Sequence, residues 1–269
     1  MEDRLIDIEI ISNQVDLLLD LSDNIISKKI EYNTDDSFAF MSLCFLTKQI
    51  EHCRSIRFLV NAEQFSDTKI IARVTIEGLI ILVWCYKNPN YYGSLWKNYA
   101  VISDYKLYKQ TPKAKISPKM EQEILTNLKS MGGAFLKKKA RSIKNEHIST
   151  QEFPYAYQWL VDENGNEIKI SKLFTDIDKQ LQKIYRDMSG WIHWDIGSIG
   201  QNLVREKNVV KIAANNTNDG ALSLAVGYQS LLGVMEIVNR YLALGFDKKL
   251  TALRDDFKST LEKLQSNSN

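Results

Sequence analysis

The sequence predicts an all-α protein, a helical bundle of about seven helices with a small inserted hairpin. Apolar residues recur at intervals of three and four along most of the chain, which is the period of a helix with one buried face. Good N-cap residues stand directly before several of these runs, and only one place shows a signal for paired strands. Since no repeat or low-complexity linker divides the chain, we expect a single helical domain over residues 1–269.

The helices follow from caps, periodicity and breaking residues. The first thirty residues are periodic, and the polar cluster at residues 33–36 caps a second helix to about Ala62. Asp67 caps a third helix, apolar on nearly every side, which ends at Asn88 and Pro89. Further helices are predicted over about residues 91–109, from Ser117 to a break at Gly132, over 171–193, over 219–243 and from Asp247.

The strand signal lies in the middle of the chain. A turn-forming run at residues 162–166 separates the apolar stretches 159–161 and 168–170, which predicts one hairpin. We expect residues 106–170, the basic segment and this hairpin together, to form an insertion within the bundle.

From the composition we expect a cytoplasmic protein. The first residues carry acids among their apolar positions, which secretory signals do not tolerate, and no apolar run is long enough to span a membrane without a charge. The three cysteines, Cys44, Cys53 and Cys85, are too few and scattered for a disulfide framework. We expect no cofactor and no metal, because the three histidines lack partners at ligand spacing, and the motifs of NTPases, α/β-hydrolases and zincins are missing.

The charge is concentrated in one segment. Residues 106–144 hold eleven Lys and Arg against two Glu, whereas the rest of the chain holds 24 basic against 31 acidic residues. Such a segment favours an anionic partner such as RNA, and a solvated, lysine-rich surface is the alternative. The residues that we expect to bind RNA are Lys137, Lys138, Lys139 and Arg141.

The candidate catalytic residues lie on the helix predicted over 171–193. Arg186 and His193 are seven residues apart, almost two turns, with Ser189 between them and Tyr185 one turn before Ser189. Histidine transfers protons near neutral pH, and arginine stabilises charge on a phosphate. Together they are the minimal equipment for cleaving RNA without a metal.

These residues resemble a known motif. Arg186, followed by Asp187 and then by His193, is similar to the Arg-x4–6-His motif of the HEPN superfamily. The resemblance implies an all-helical, metal-independent endoribonuclease that serves in phage defence or as a toxin. It also implies a homodimer whose motif helices meet, and a defence or antitoxin protein as partner.

A second resemblance covers about residues 40–200. A bacterial helical family of unknown function has an Arg-x3-Glu pair on one core helix and Tyr-x3-Ser-x3-His on a later one; here these match Arg73 and Glu77, then Tyr185, Ser189 and His193. Charges in an apolar helix are costly unless they are paired, so we expect Arg73 and Glu77 to face a shared polar pocket. In it Glu77 would orient His193 or Tyr185.

Two other functions fit the same residues. A buried network of this composition can serve packing alone, which predicts a non-catalytic binding or regulatory module of a defence system. The pocket could instead bind a small anion, as in a ligand sensor. Arg54 and Arg57 would either join the pocket or form ion pairs facing solvent.

Overall fold

The computed structural model describes residues 2–137, 155–174, 179–192, 203–206, 209–212 and 217–267. The all-α class is confirmed, since helices make up most of this part of the chain. The chain forms two compact units: unit 1 comprises residues 1–33, 42–86 and 174–269, and unit 2 comprises residues 34–41 and 87–173. Residues 106–170, the expected insertion, fall within unit 2.

The helices are α1 (Glu2–Ile26), α2 (Ser37–Asn61), α3 (Phe65–Tyr86), α4 (Pro89–Asn98), α5 (Ala100–Gln110), α6 (Pro118–Met131), α7 (Ile170–Leu173), α8 (Lys179–Ile192), α9 (Thr217–Leu242) and α10 (Asp247–Asn267). Short 3₁₀ helices cover Lys113–Lys115 and Gly132–Phe135. Strands β1 (Leu203–Glu206) and β2 (Val209–Ile212) form a small antiparallel pair.

Side-chain caps account for two helix starts that the sequence predicts. The Asp36 carboxylate accepts hydrogen bonds from the backbone N–H groups of Phe38, at 3.0 Å, and Ala39, at 2.9 Å, at the start of α2. Ser117 accepts from the N–H of Met120 at 3.2 Å, with proline in the first turn of α6. These bonds satisfy donors that have no partner within the helix.

The core of unit 1 forms around α9, which packs against α3, α1 and α10, while α8 packs against α3. Between α9 and α10, Tyr228 stacks on Phe257 with ring centroids 3.9 Å apart, and its hydroxyl donates to the carbonyl of Leu253 at 2.8 Å. Fully buried members of this core include Val15, Leu18, Ile76, Ile80, Leu231 and Val234.

Helix α9 is the one described helix that is long and apolar enough to cross a membrane. Of its most apolar window, 61% is buried inside the fold. Burial of that kind is typical of the core helix of a soluble protein, whose apolar residues face other helices.

Unit 2 has its own core, in which α5 packs against α6 and aromatic rings surround a buried cluster. Gly93 on α4 allows a close approach, because a Cβ there would lie 2.5 Å from the backbone nitrogen of Phe38. The buried residues of this cluster are Leu95, Val101, Ile102, Leu128, Phe135, Ala156 and Val161.

The single helix predicted over 91–109 is wrong, because α4 ends at Asn98 and α5 begins at Ala100. No proline or glycine marks the break at Tyr99. Tertiary contacts surround that residue instead: its ring packs edge-on against Phe135, and its hydroxyl donates to the carbonyl of Ala156 at 3.2 Å.

The predicted hairpin is shorter than expected. Its turn forms, since Asp162 accepts from the N–H groups of Asn164 and Asn166 at 2.8 and 2.9 Å, but only one bridge, Val161 to Glu167, follows. The second predicted strand ends early because Ile170 begins α7. The longer strand pair, β1 with β2, was not predicted, although its valine-rich segments are separated by only two residues in the sequence.

Candidate functional site

Helix α3 places an ion pair on an otherwise apolar helix. Arg73 and Glu77 lie one turn apart, and their Nη2 and Oε1 atoms are 2.6 Å apart. Each side chain is 20% exposed, so both are largely removed from water. An ion pair in such surroundings is stable only with further hydrogen bonds, and these come from α8.

Two residues of α8 complete a four-membered network. The guanidinium of Arg73 donates to the hydroxyls of Ser189, at 2.9 Å, and Tyr185, at 3.0 Å. The Tyr185 hydroxyl in turn donates to Glu77 at 2.7 Å, and the Ser189 hydroxyl donates to the Tyr185 carbonyl at 2.7 Å. These contacts bring Arg73, Glu77, Tyr185 and Ser189 together in one hydrogen-bonded cluster, which we call the α3–α8 network.

The ring of Tyr185 is as well held as its hydroxyl. The Arg73 guanidinium carbon lies 5.1 Å from the centroid of the Tyr185 ring. The ring of Phe174 packs against the same ring, with the two centroids 4.8 Å apart. Burial raises the pKa of the Tyr185 phenol, and its hydrogen bond to Glu77 raises the pKa further, whereas Arg73 acts in the opposite direction. Tyr185 is therefore a neutral hydrogen-bond donor at physiological pH.

Arg186 does not join this network. It is exposed, and none of the hydrogen bonds or ion pairs that join the four described network residues includes it. Successive helical residues differ by about 100° around the axis, so Tyr185 and Ser189 face α3 while Arg186 faces water. Arg186 therefore lies outside the α3–α8 network, on the exposed side of α8. His193 lies outside the described residues.

The residues expected to bind RNA are described only in part. Lys137 lies beside an exposed aromatic ring, with its ammonium 4.1 Å from the ring centroid of Tyr157. Lys138, Lys139 and Arg141 lie outside the described residues.

The structure adds a second ion pair that the sequence did not reveal. Lys69, one turn before Arg73 on α3, lies 2.7 Å from Asp219 on α9, and the two side chains are 9% and 8% exposed. From the sequence, Asp219 was only the first residue of the helix predicted over 219–243. The signal that could have found the pair is the spacing of Lys69, Arg73 and Glu77, a row of charges at four-residue intervals in an apolar helix.

Arg54 and Arg57 form ion pairs with α1, and the Arg54 side chain faces solvent at 49% exposed while that of Arg57 is partly buried at 21%. Arg57 binds Asp16 of α1 with two hydrogen bonds of 3.0 Å, and Arg54 pairs with Asp23 of the same helix. They tie α2 to α1 and stay apart from the α3–α8 network. Among the described residues no group of three or more His, Cys, Asp or Glu side chains could hold a metal ion.

Comparison with known proteins gives one match. A family of unknown function (DUF5677) matches residues 39–209, a range that includes Arg73, Glu77, Tyr185, Arg186, Ser189 and His193. No curated protein and no solved structure matches the chain. The expectation of a helical family of unknown function is confirmed at this level, and the chain belongs to the DUF5677 family.

Proposed function

We propose that the protein is an HEPN-like, metal-independent endoribonuclease of a cytoplasmic phage-defence or toxin–antitoxin system. His193 acts as general acid and base, and Arg186 stabilises charge on the phosphate. The observation that carries the proposal is the position of Arg186: its guanidinium is exposed, on a helix that the α3–α8 network holds in place. A guanidinium group that is open to solvent can donate hydrogen bonds to a phosphate.

The reaction needs only these two groups and the RNA itself. His193 removes the proton of a 2′-hydroxyl, the freed oxygen attacks the neighbouring phosphorus, and the bond to the 5′-oxygen breaks. The leaving 5′-oxygen takes a proton from the imidazolium of His193, which returns to its neutral form, and the products are a 2′,3′-cyclic phosphate and a 5′-hydroxyl. Arg186 donates to the phosphate oxygens while negative charge builds up in the transition state.

The four network residues have a positioning role in this proposal. The hydroxyls of Tyr185 and Ser189 form hydrogen bonds with Arg73 and Glu77, and these bonds hold α8 against α3. A helix fixed to its neighbour holds Arg186 in one place, and small errors of position are costly in catalysis.

A homodimer belongs to the same proposal. Ile70 and Val74, one turn apart on α3 and adjacent in sequence to the charged row, are 40% and 36% exposed. Apolar side chains at the surface are what a second copy would bury. Sedimentation equilibrium with wild type and with Val74→Glu is the direct measurement.

The decisive experiment is RNA cleavage by the purified full chain in EDTA. Wild type should release products with 2′,3′-cyclic phosphate ends, while His193→Ala and Arg186→Ala should each reduce the rate by about 100-fold or more. Arg240→Ala is the matched control, because Arg240 is also an exposed arginine on a helix. Cleavage that requires a divalent metal, or that survives both substitutions, would contradict the proposal.

Folding must be checked alongside activity. Because Arg186 is exposed, its replacement should change the free energy of unfolding by less than about 0.5 kcal/mol. A rate lost together with a large loss of stability would point to damage of the fold.

One observation favours a second function, a non-catalytic binding or regulatory module of a defence system. Each member of the α3–α8 network is bonded to another member, as expected of a structural lock between two helices. This alternative predicts no cleavage and a cellular phenotype that persists in His193→Ala at a permissive temperature. Loss of the phenotype without loss of stability would argue against it.

A further inference from the structure

Tyr157 differs from the other tyrosines of the chain. All twelve tyrosines lie in described parts of the chain, and Tyr157, at 60% exposed, is the one whose side chain is largely open to solvent. The other aromatic residues around it belong to the core cluster of unit 2. An aromatic ring that is 60% exposed leaves much of its surface accessible to a ligand.

The backbone holds this exposed ring firmly. The N–H of Tyr157 donates to the Glu167 carboxylate at 2.5 Å, and its carbonyl accepts from the ammonium of Lys106 at 3.0 Å. The preceding residue, Ala156, is fully buried, and its N–H donates to the carbonyl of Phe135 at 2.8 Å. Binding a ligand on this ring therefore costs little ordering of the chain.

Two lysines stand over the same ring. The ammonium of Lys137 is 4.1 Å from the centroid of Tyr157, and that of Lys106 is 5.4 Å from it. Lys106 also donates to the hydroxyl of Tyr99 at 2.6 Å, which fixes its position. Both lysines belong to the basic segment of residues 106–144, so the ring of Tyr157 contacts the most positively charged part of the chain.

A planar ring next to ammonium groups suits a ligand that joins an aromatic base to a phosphate. A lysine over an exposed ring contributes only about 2- to 5-fold to an equilibrium constant. A base stacked on an aromatic side chain contributes about 5- to 100-fold. A base can therefore displace an ammonium from the ring, and the displaced group remains close enough to neutralise the adjoining phosphate.

We propose that Tyr157 is a stacking platform for an unpaired base of an RNA strand, with Lys137 on the neighbouring phosphate. That the strand is RNA rests on the proposed ribonuclease function. Tyr157 and Lys106 are assigned here to binding and not to cleavage. The contact uses the face of a base, which all bases share, so the site tolerates any sequence.

Binding is measured on the full chain with a fluorescein-labelled 2′-O-methyl oligoribonucleotide, whose blocked 2′-oxygen prevents cleavage by 2′-hydroxyl attack. We expect Tyr157→Ala to weaken binding about 5- to 100-fold and Tyr157→Phe, which keeps the ring, to bind like wild type. An affinity of Tyr157→Ala within twofold of wild type would overturn the proposal.

Lys137 gives an independent test that does not depend on the folding of the tyrosine variant. A plot of log affinity against log salt concentration has a negative slope, and Lys137→Ala should make that slope less steep by about 0.7, the value for one phosphate contact on a single strand. Lys129→Ala, which removes an exposed lysine of α6, is the matched control and should leave the slope unchanged. Equal slopes for wild type and Lys137→Ala would count against the phosphate contact.

A free nucleotide is distinguished from a strand by competition with AMP. Displacement of the oligonucleotide by AMP at equal affinity would overturn the assignment to a strand. Cleavage is scored separately on unmodified RNA: binding that needs Tyr157 without any cleavage would leave this site standing and refute the ribonuclease. Cleavage of RNA together with binding that does not need Tyr157 would support the ribonuclease and refute the stacking site.

Discussion

Helix α3 carries two charged clusters one turn apart, and they differ in how far each is closed to water. Lys69 and Asp219 join α3 to α9 with side chains 9% and 8% exposed. Arg73 and Glu77, which belong to the α3–α8 network, are each 20% exposed. The first cluster lies against the most buried helix of unit 1, and the second lies against the helix that carries Arg186.

The difference indicates a division of roles along one helix. A fully buried pair makes unfolding costly when one partner is removed, because the other charge is left without compensation. In a network that is partly open to water and built from four groups, several hydrogen bonds share the cost of burying the charges. We therefore infer that the closed cluster stabilises the core and that the more open one holds α8, the helix that carries Arg186.

The largest effect is expected at the closed cluster. Asp219→Ala should lower the free energy of unfolding by about 3–5 kcal/mol, because Lys69 is left buried without its carboxylate. Urea denaturation measures this loss, and Asp255→Ala, which removes an exposed carboxylate of α10, is the control. A loss below about 1 kcal/mol would show that the pair is not the structural anchor of α9.

A double substitution tests the same cluster from the other side. Replacing Lys69 with methionine and Asp219 with leucine together should recover most of the stability, because apolar residues of similar volume avoid the cost of burying charge. A double variant as unstable as Asp219→Ala would indicate that shape rather than charge determines this contact.

An intermediate effect is expected in the α3–α8 network. Arg73→Ala should cost about 1.5–3 kcal/mol and Tyr185→Phe about 1 kcal/mol, the usual values for losing a bond to a charged group and a neutral one. Since both act on one network, the double variant should depart from additivity by about 0.5–2 kcal/mol. Arg73→Ala with Tyr228→Phe is the matched control, because Tyr228 bonds to Leu253 and shares no partner with Arg73. Additive losses in the first pair would contradict the network.

The smallest effect is a pH dependence confined to the network. The folded chain raises the pKa of Tyr185, so the phenol stabilises the fold fully below its ordinary pKa of about 10. As pH rises above that value, the unfolded chain ionises first and the contribution is lost. The stability difference between wild type and Tyr185→Phe should be constant from pH 7 to about 10 and decline above it. A difference that grows with alkaline pH would reverse the assigned role of Glu77 as acceptor.

Much of the site could be predicted from single helices. The four-residue spacing of Arg73 with Glu77, and of Tyr185 with Ser189, placed each pair on one helical face, and the cost of unpaired charge required that they find partners. The structure brings the two pairs together as expected. That Arg186 lies outside this network could not be predicted, because spacing along one helix does not say which face α3 covers.

The pair of Lys69 with Asp219 shows the limit of such reasoning. Asp219 is explained locally as the start of the helix predicted over 219–243, and no residue near Lys69 in the sequence requires a partner from that helix. Their contact joins positions 150 residues apart in the chain and follows from the packing of α9 on α3.

The sequence by itself determined the all-α class, most helix bounds and two helix caps, since periodicity and capping act within one or two turns. Only the tertiary structure decided that Tyr99 ends a helix, that Arg54 and Arg57 bind α1, and that Tyr157 stays exposed beside Lys106 and Lys137. These outcomes depend on which surfaces meet when distant segments pack. That choice is governed by the complementarity of whole faces, and no single stretch of sequence contains it.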